Sequence, residues 1–417
     1  MVAMKRAYIE IDQNRCNGCI LCMKACPTKA IRVRKGCATI EGICINCLEC
    51  VRVCPEAAIR PLTTESITSG DNRYVVCPTS VLYSQFGEDV LPNDILLGLR
   101  SMNFKYVHDL SYTHEIFNYA TQLYIRDKRK EPEPPFPLIS PCCPVVVRLI
   151  AYKFPSLLDH ILPLATPREI VAREARKRFS KKEGISPDEI NILYITPCPA
   201  MMIHISSEEN NDKLVGINSI YDILKKNLER LDDDRVLHYS GGIGIAWAMS
   251  GGETIALRAK CLAVSGVHET IRYLEKIEMG LLKDIEYIEF RICPEGCIGG
   301  PFTVEDRYIA KRIVQRFLWM FGLERRIKYS YVARLYKEGW FSSTRKYLPI
   351  RSPLSDMPIS ERLERQRKIE ELVSKLPHTE CGLCGAPDCR TFAEDVVDGK
   401  ASIEDCMFMK KICGGRK

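Results

Sequence analysis

Two sets of four cysteines near the N-terminus share one spacing, and that spacing is typical of iron–sulfur ligation. The first set, C-x2-C-x2-C-x3-C-P, runs from Cys16 to Pro27, and the second repeats it from Cys44 to Pro55. At this spacing three cysteines bind one [4Fe-4S] cluster, while the fourth, before the proline, binds the other cluster. One cluster is predicted to use Cys16, Cys19, Cys22 and Cys54, and the other Cys44, Cys47, Cys50 and Cys26. Two zinc sites are the alternative, which the paired Cys-Pro pattern disfavours.

The composition of the chain excludes several classes of protein. Its 417 residues, 46% of them hydrophobic, are enough for two to four domains with cores of their own. No apolar run approaches the roughly 18 residues of a membrane span, and no signal-peptide core is present, so we expect a cytoplasmic protein. The 21 cysteines then argue against disulfides, because the cytosol keeps thiols reduced. Basic residues are interleaved with acidic ones, which does not favour nucleic-acid binding.

Three further cysteine segments follow apolar, strand-like runs. Cys142-Cys143 follows PLIS, Cys198 follows NILYIT, and Cys293, with Cys297 close behind, follows YIEFRI. Helical patterns lie between and around them, at residues 94–102, 112–125, 168–179, 218–231, 269–279 and 307–317. Alternating strands and helices predict parallel α/β sheets, whose ligands collect beyond the carboxyl ends of the strands. All three cysteine segments fall there, and buried structural thiols are the alternative.

A last set of cysteines lies near the C-terminus, in HTECGLCGAPDCRTFAEDVVDGKASIEDC. Cys381, Cys384 and Cys389 lie on a Gly- and Pro-rich loop, and the amphipathic residues 390–397 return the chain to Cys406. Glycine lets the backbone approach sulfur and donate hydrogen bonds to it. The segment resembles the small four-cysteine [4Fe-4S] module of electron-transfer and corrinoid iron–sulfur proteins. A zinc knuckle is the alternative.

Whole segments of the chain resemble known families. The N-terminal repeat, with strand-like stretches at 7–11 and 38–40, resembles a bacterial dicluster ferredoxin. SPCCPVVVRLI, TPCPAMM and EFRICPEGCIGGPF resemble the three signature loops of the [FeFe]-hydrogenase catalytic domain, and VVCPTSVLYSQFGEDV resembles the segment that opens it. With GGPFTVEDRYIAKR, LYKEGWF and CGLCGAPDC, the chain is most similar to the sensory subgroup of these hydrogenases, which joins a ferredoxin module, a hydrogenase domain and a four-cysteine cluster.

The hydrogenase resemblance implies roles for the central cysteines. Four of them would hold the [4Fe-4S] cubane of the active-site cofactor, namely Cys143, Cys198, Cys293 and Cys297. Cys297 would also bridge to a two-iron subcluster with CO and CN ligands. Cys142 occupies the place of the thiol that relays protons in the standard enzymes. Thr79 occupies the place of a serine that donates a hydrogen bond to a diatomic ligand.

The sequence also departs from the hydrogenase pattern. Met201 stands where the family has a lysine that donates to a cyanide ligand, and methionine cannot donate that bond. Two glutamates of the family's proton path align with Tyr119 and Gln122, whereas Arg126 matches. A further glutamate aligns with His204, which titrates near neutrality and can replace it in part. The cubane site is therefore expected to be intact, while the presence of the two-iron subcluster is left open.

The sequence as a whole predicts a modular α/β protein. Its expected parts are a 2[4Fe-4S] ferredoxin domain at 1–62, a two-lobed hydrogenase-like domain at 63–310, a mostly helical connector at 311–375 and a four-cysteine [4Fe-4S] domain at 376–417. The resemblance implies slow or sensory interconversion of protons and hydrogen, with ferredoxin or another redox protein as the electron partner. The chain would have no nucleic-acid partner and no membrane span, and could be a subunit of a redox or signalling complex. The alternative is a non-catalytic electron-transfer subunit with a central cubane and no two-iron unit.

Overall fold

The computed structural model describes residues 7–62, 74–204, 212–350 and 357–409, and the side chain of His204 lies outside the described part. The described residues divide into two compact units. The large unit contains residues 74–349, and the small unit contains residues 7–62 together with the described part of 350–409. Within these ranges no helix has both the length and the apolar surface that crossing a bilayer requires.

Strands and helices alternate along most of the chain. The strands are β1 Ile9–Ile11, β2 Ile31–Arg34, β3 Cys37–Ile40, β4 Ile59–Pro61, β5 Tyr74–Pro78, β6 Tyr106–Val107, β7 Leu138–Ile139, β8 Asn191–Thr196, β9 Lys213–Gly216, β10 Cys261–Ser265 and β11 Tyr287–Arg291. The helices are α1 Leu21–Ala25, α2 Glu49–Arg52, α3 Pro92–Ser101, α4 Leu110–Lys128, α5 Pro144–Lys153, α6 Pro167–Glu183, α7 Ile217–Leu228, α8 Gly242–Ala246, α9 Val267–Glu278, α10 Arg307–Phe321, α11 Tyr329–Lys337, α12 Ile359–Lys375 and α13 Cys389–Val397.

The first sheet of the large unit has four parallel strands in the order β6-β5-β8-β9. Strand β8 reads NILYIT and is apolar on both faces, as expected where helices cover a parallel sheet on both sides. Val76, Ile195 and Val215 from three of its strands lie in one buried core. Because β5 and β8 are adjacent, the residues that follow them, Thr79 and Cys198, leave the same edge of the sheet.

The second sheet of the large unit has three parallel strands in the order β10-β11-β7. Cys142 follows β7 and Cys293 follows β11, so these two cysteine segments also leave one edge of one sheet. The predicted α/β class with parallel sheets is therefore confirmed. The observed helices overlap all six predicted helical patterns and differ from them by a few residues at their ends.

Helix α6 shows why a predicted helix begins and ends where it does. Its N-cap is Thr166, whose amide donates to Glu169 Oε2 at 2.7 Å, and Pro167 opens the first turn. This is a capping box, which satisfies amides that a helix start leaves unpaired. The helix ends at Gly184, which adopts a φ of 70°. These signals fix the position of Arg168 in the first turn of α6.

The small unit is built from short antiparallel pairs and helices. Strand β1 pairs with β4, and β2 pairs with β3, so that Ile31 lies opposite Ile40. Helix α12 packs against α13 through a separate apolar core that includes Ile369 and Phe392. The N-terminal repeat and the C-terminal cysteine segment thus belong to one compact unit, a grouping that the sequence analysis did not predict.

Candidate iron–sulfur centres

Two cavities in the small unit are lined by the eight cysteines of the N-terminal repeat. The cysteines of one cavity are Cys16, Cys19, Cys22 and Cys54. Those of the other are Cys26, Cys44, Cys47 and Cys50. In each cavity the fourth cysteine comes from the other repeat, which is the exchange that the spacing predicts. The structure brings the thiols together in the predicted sets, and their individual roles as ligands stay predictions.

The backbone around these cavities donates hydrogen bonds to sulfur. The amides of Ala30 and Ala58 each donate to the Sγ of the cysteine four residues earlier, at 3.3 Å. The amide of Ala38 donates to Cys16 Sγ at 3.4 Å. Amide donors stabilise the charge of a thiolate and help to set the reduction potential of a cluster. The surroundings therefore fit clusters held by deprotonated thiols.

The two cysteine loops of the repeat share an unusual backbone conformation. Ile20 has a φ of 60° and Leu48 a φ of 65°, at equivalent positions of the two sets. The left-handed conformation is costly for residues with bulky side chains, so it persists only where the surroundings impose it. Both loops surround their cavities in this left-handed conformation, and a bound cluster would stabilise it.

Three thiols of these sets are buried deeply enough to oppose their ionisation. Burial, and then the neighbouring thiols of Cys16 and Cys19, raise the pKa of Cys22 to about 11. Burial also raises the pKa of Cys47 and that of Cys50 above the ordinary value for a thiol. Cationic iron favours the thiolate strongly enough to reverse such shifts. Bound iron would therefore stabilise the thiolate form of these three residues.

A third cavity in the small unit is lined by the C-terminal cysteines. These are Cys381, Cys384, Cys389 and Cys406. Cys389 is the first residue of α13, and its amide donates to Glu380 Oε2 at 2.7 Å. Asp388 caps the same helix by accepting from Thr391 N at 2.7 Å. The four thiols that the sequence singles out are therefore brought together around one space.

The C-terminal cysteine loop packs directly against the N-terminal repeat. A Cβ at Gly385 would overlap the carbonyl oxygen of Val33, whose amide donates to Gly385 O at 3.0 Å. A Cβ at Gly382 would lie 3.3 Å from Ile20 Cδ1. Ile20 and Val33 also line the cavity of Cys16. Two short contacts, Ile20–Gly382 and Val33–Gly385, therefore join the lining of the Cys16 cavity to the C-terminal cysteine loop.

Charged side chains also stabilise the contact between the N-terminal repeat and the C-terminal cysteine loop. Asp395 of α13 accepts from Arg32 Nε at 2.6 Å, from Arg32 Nη2 at 3.1 Å and from Arg34 Nη2 at 2.7 Å. The side chains of Asp395 and Arg32 are only 4% and 8% exposed. Lys24 Nζ donates to Pro387 O at 2.7 Å and to Glu380 O. Strand β2 is thus linked to the C-terminal segment by a buried ion pair, and helix α1 by hydrogen bonds from the exposed Lys24.

Backbone hydrogen bonds connect the second and third central cysteine segments of the large unit to each other and to the glycine-rich segment. Phe302 N donates to Pro197 O at 2.9 Å, which joins the third loop to the second. Ser250 N donates to Glu295 O at 2.9 Å, and Ile298 N donates to Ala248 O at 3.0 Å. The third loop therefore lies between the second loop and the glycine-rich segment that follows α8.

Four central thiols lie close enough to interact. Cys198 is influenced electrostatically by the other three of its predicted set, Cys143, Cys293 and Cys297. Burial raises the pKa of Cys198 well above its ordinary value and that of Cys297 to about 12. Three sequence-distant segments thus converge on one group of buried thiols, which fits the predicted cubane site.

Cys142 is buried beside a carboxylate that the sequence analysis did not identify. Its Sγ lies 3.9 Å from Glu253 Oε1, and its amide donates to Ser140 Oγ at 3.2 Å. Ser140 Oγ in turn donates to Glu253 Oε1 at 2.8 Å, and Tyr287 OH donates to the same oxygen. Burial, and then the charge of Glu253, raise the pKa of Cys142 well above the ordinary thiol value. The thiol is therefore held protonated next to a proton acceptor.

A second buried carboxylate shares its cation with Glu253. Arg291 donates to Glu253 Oε2 at 2.8 Å and to Glu289 Oε1 at 3.0 Å. All three side chains are at most 5% exposed. Burial raises the pKa of Glu289. The two carboxylates thus share one guanidinium in a buried network.

Tyr119 and Gln122, which the sequence analysis aligned with glutamates of the family's proton path, lie beside a cation. Arg325 lies over the ring of Tyr119, 4.0 Å from its centroid, and donates to Gln122 Oε1 at 2.9 Å. A guanidinium does not release its proton in proteins. Arg126 is exposed and donates to Tyr329 OH at 3.0 Å. The helix that carries these residues, α4, therefore does not offer the family's acidic route.

The second loop is contacted by Arg168, which the sequence analysis placed only in a helix. Its Nη1 lies 3.4 Å from Met201 O. Its guanidinium is influenced by the thiols of Cys198 and Cys142. Met201, where the sequence lacks the expected lysine, is thus adjacent to a different cation.

Some of the residues that the sequence analysis did not identify could have been recognised from their sequence pattern. In β11, Tyr287, Glu289 and Arg291 alternate with apolar residues in a strand that is buried on both faces. Charged residues inside such a strand must be paired, and buried pairs cluster at functional sites. Glu253 and Arg168 carry no comparable signal, because a single charged residue at a turn or a helix start is ordinary.

Comparisons with known proteins agree with this arrangement. The family model "Iron only hydrogenase large subunit, C-terminal domain" matches residues 73–258. A "4Fe-4S binding domain" model matches residues 9–32, and a model described as "Putative Fe-S cluster" matches residues 376–408. The chain therefore carries a [4Fe-4S] binding motif before a hydrogenase-like region and an iron–sulfur cluster motif after it.

Several similar proteins are hydrogenases. Iron hydrogenase 1 of Clostridium pasteurianum is 25% identical over 48% of this chain and 37% of the relative. The periplasmic [Fe] hydrogenase large subunit of Nitratidesulfovibrio vulgaris is 26% identical over 47% of this chain and 51% of the relative. The chain thus spans between a third and about half of the length of these relatives. Since one of them is named periplasmic, the cytoplasmic location stays a prediction.

Solved structures show the same fold. An [FeFe]-hydrogenase structure concerned with oxygen inactivation of the H cluster matches with a TM-score of 0.52 and 15% identity, over 67% of this chain and 94% of that one. The buried thiols, the parallel sheets and the family match lead to one conclusion. The chain is a hydrogenase-like iron–sulfur redox protein.

Proposed function

We propose that the protein interconverts protons and hydrogen slowly, in the manner of a sensor, and exchanges the electrons with ferredoxin or another redox protein through four [4Fe-4S] clusters. The observation that carries the proposal is the buried Cys142 thiol, 3.9 Å from Glu253 Oε1 and close to a set of four further thiols. Packing does not explain a thiol paired with a buried carboxylate, because alanine or leucine would fill the same space better. This pairing is the arrangement that a proton relay requires.

The reaction combines two protons and two electrons into one hydrogen molecule, or the reverse. A two-iron unit with CO and CN ligands, when bound through Cys297, would supply the place where they combine. The chain's own residues supply the proton. Cys142 holds a proton on Sγ, and Glu253 accepts or returns it, while Ser140 and Tyr287 keep that carboxylate in place. Arg291 pairs with the carboxylate from behind and is itself held in place by Glu289.

The same network gives a reason for slow turnover. The raised pKa of Cys142 makes its proton hard to release, and the Glu253 carboxylate beside it is already held in an ion pair by Arg291. The positions that carry glutamates in the family are engaged by Arg325 instead. A protein that must respond to hydrogen without consuming it benefits from such a restricted proton supply.

The small unit supports the electron-transfer part of the proposal. The cavity of Cys16, Cys19, Cys22 and Cys54 is joined to the C-terminal cysteine loop by Ile20 and Val33. Backbone and side-chain contact of this kind keeps two redox centres at a fixed separation. The C-terminal centre would therefore exchange electrons first with the Cys16 centre.

The proposal is tested by removing either end of the proton relay. Protein matured with the hydrogenase accessory enzymes is assayed for hydrogen evolution and for hydrogen–deuterium exchange. Cys142→Ser and Glu253→Gln are each expected to lower both rates by about a hundredfold or more, which is the usual contribution of a positioned acid or base. Cubane spectra should be unchanged in both variants.

A matched control separates the relay from general damage. Glu115 is also a buried glutamate of the large unit, but it accepts from the amides of Gly241 and Arg326, away from the thiols. Glu115→Gln should therefore retain the turnover rate per folded molecule. Full turnover in Cys142→Ser would refute the relay.

The second candidate is a non-catalytic electron-transfer subunit whose central site holds only a cubane. Met201 and the cation at Tyr119 and Gln122 favour it, since both remove features of a fast hydrogenase. On this account the matured protein shows no hydrogen turnover in any variant, while the central cubane is reduced and oxidised normally.

A further inference from the structure

Arg168 presents a buried donor that no described residue accepts. Its Nη2 is fully buried, and among the residues that the structure describes it has no hydrogen-bond partner. Its Nη1 makes a single long contact, 3.4 Å, with Met201 O. A buried guanidinium N–H without an acceptor is costly, so such a group in a folded protein calls for an explanation.

Among the residues that the structure describes, none supplies Arg168 with the carboxylate partner that a buried arginine normally has. Its strongest electrostatic neighbours are Arg345, Tyr194, Cys198 and Cys142. Arg345 is itself paired with Glu169, its Nε lying 2.9 Å from Glu169 Oε1. A cation is therefore held between two of the central cysteine segments without a carboxylate partner among the described residues, and a bound anion at this point would compensate it.

A second orphaned donor lies in the same surroundings. The hydroxyl of Tyr347 is buried without a partner among the described residues. Tyr347 is influenced electrostatically by Arg168 and by Cys142. Two buried donors from distant parts of the chain thus share the neighbourhood of the Cys142 thiol.

We propose that Arg168 binds an anionic diatomic ligand, cyanide in chemical class, of a two-iron unit held beside Cys142 and Cys297. The guanidinium would donate from Nη2 to the outer atom of that ligand and compensate its charge, with Nη1 anchored on the second loop at Met201. The proposal rests on the proposed function, because it requires the two-iron unit. Arg168 of α6 would then position the cofactor, and the anionic ligand would compensate the charge of its guanidinium.

Infrared spectroscopy of matured protein tests the assignment, with carbonyl and cyanide band intensities measured per central cubane. The unchanged protein is expected to show the bands. Arg168→Met should lose the two-iron unit several-fold or shift its cyanide bands, and Arg168→Lys should lie between the two. Introducing a cation at the neighbouring position, Met201→Lys in the Arg168→Met background, should restore part of the loss.

Arg173 provides the matched control. It lies on the same helix and donates to Trp340 O at 2.9 Å and to Ser342 O at 3.2 Å, rather than toward the thiols. Arg173→Met should leave the bands in place. Identical band positions and intensities in Arg168→Met and in the unchanged protein would overturn the assignment and leave the proposed function standing. Absence of bands from the unchanged protein would overturn both.

A measurement on unmatured protein separates cofactor binding from a structural role. Without the two-iron unit the Nη2 donor has nothing to bind, so Arg168→Met should melt at the same temperature as the unchanged protein or higher. Arg173→Met, which breaks two hydrogen bonds, should melt lower. A melting temperature for Arg168→Met as low as that of Arg173→Met would assign Arg168 to the fold and overturn the proposal.

Discussion

The buried ion pair between Arg32 and Asp395 predicts how firmly the C-terminal segment is held. Asp395 accepts two hydrogen bonds from Arg32 and one from Arg34, with the Asp395 side chain only 4% exposed. Asp395→Asn removes the charge and leaves Arg32 buried without a counter-ion. Breaking a buried pair in this way costs about 3–5 kcal/mol. Since 1.4 kcal/mol is about tenfold in an equilibrium constant, local opening of α13 should increase by on the order of a hundredfold or more.

Amide hydrogen exchange under anaerobic conditions measures this opening directly, because it reports local equilibria in the folded protein. The amides of α13 should lose protection in Asp395→Asn, while those of α4 in the large unit should not. Asp398→Asn is the matched control, since its pair with Arg365 is more exposed, at 24% and 15%. A more exposed pair is worth about 1 kcal/mol or less. Equal protection losses in the two variants would refute the reasoning.

Three further predictions concern single residues. Burial alone would raise the pKa of Asp109, but hydrogen bonding and electrostatic attraction from His238, with hydrogen bonds from Ser111 and Tyr83, together outweigh it and lower the pKa to about 2. Asp109 should therefore contribute about 2 kcal/mol above pH 4, lost as the pH falls toward 2. In Asp109→Asn this acid-dependent loss should disappear from denaturation curves measured between pH 5 and pH 2. Gly385→Ala should make the C-terminal segment more sensitive to limited proteolysis, because the new methyl would overlap Val33 O and Gly385 has a φ of 81°. Lys24→Met should lower the reduction potential of the C-terminal cluster in a potentiometric titration, since it removes a positive charge beside that loop; an unchanged potential would contradict this.

Local patterns in the sequence predicted much of this protein. The spacing of the N-terminal cysteines predicted which thiols share a cavity, because ligand exchange between repeats follows from the geometry of a cubane. The strand-like runs before Cys142, Cys198 and Cys293 became β7, β8 and β11, and their cysteines converge. Apolar strands and capped helices are determined by residues a few positions apart, and they could therefore be predicted from the sequence.

Contacts between residues that are far apart in the sequence could not be predicted in the same way. Asp395 and Arg32 are 363 positions apart, and nothing in either segment marks them as partners. Glu253 meets Cys142 only because the turn after α8 packs beside β7 and β11. The orphaned donor of Arg168 is a property of what surrounds it rather than of its own sequence. These residues depend on tertiary packing, and they are the ones on which the proposed chemistry of the central site rests.

The central claim is that this hydrogenase-like fold holds a two-iron unit and uses it. It is tested most directly by infrared spectroscopy, with iron quantification, on protein produced anaerobically with the hydrogenase maturation enzymes. The account predicts carbonyl and cyanide stretching bands and more iron than the roughly sixteen atoms per chain that four cubanes contain. No such bands, with iron at roughly sixteen per chain, would contradict it and identify a protein that retained the electron-transfer clusters without the hydrogenase chemistry.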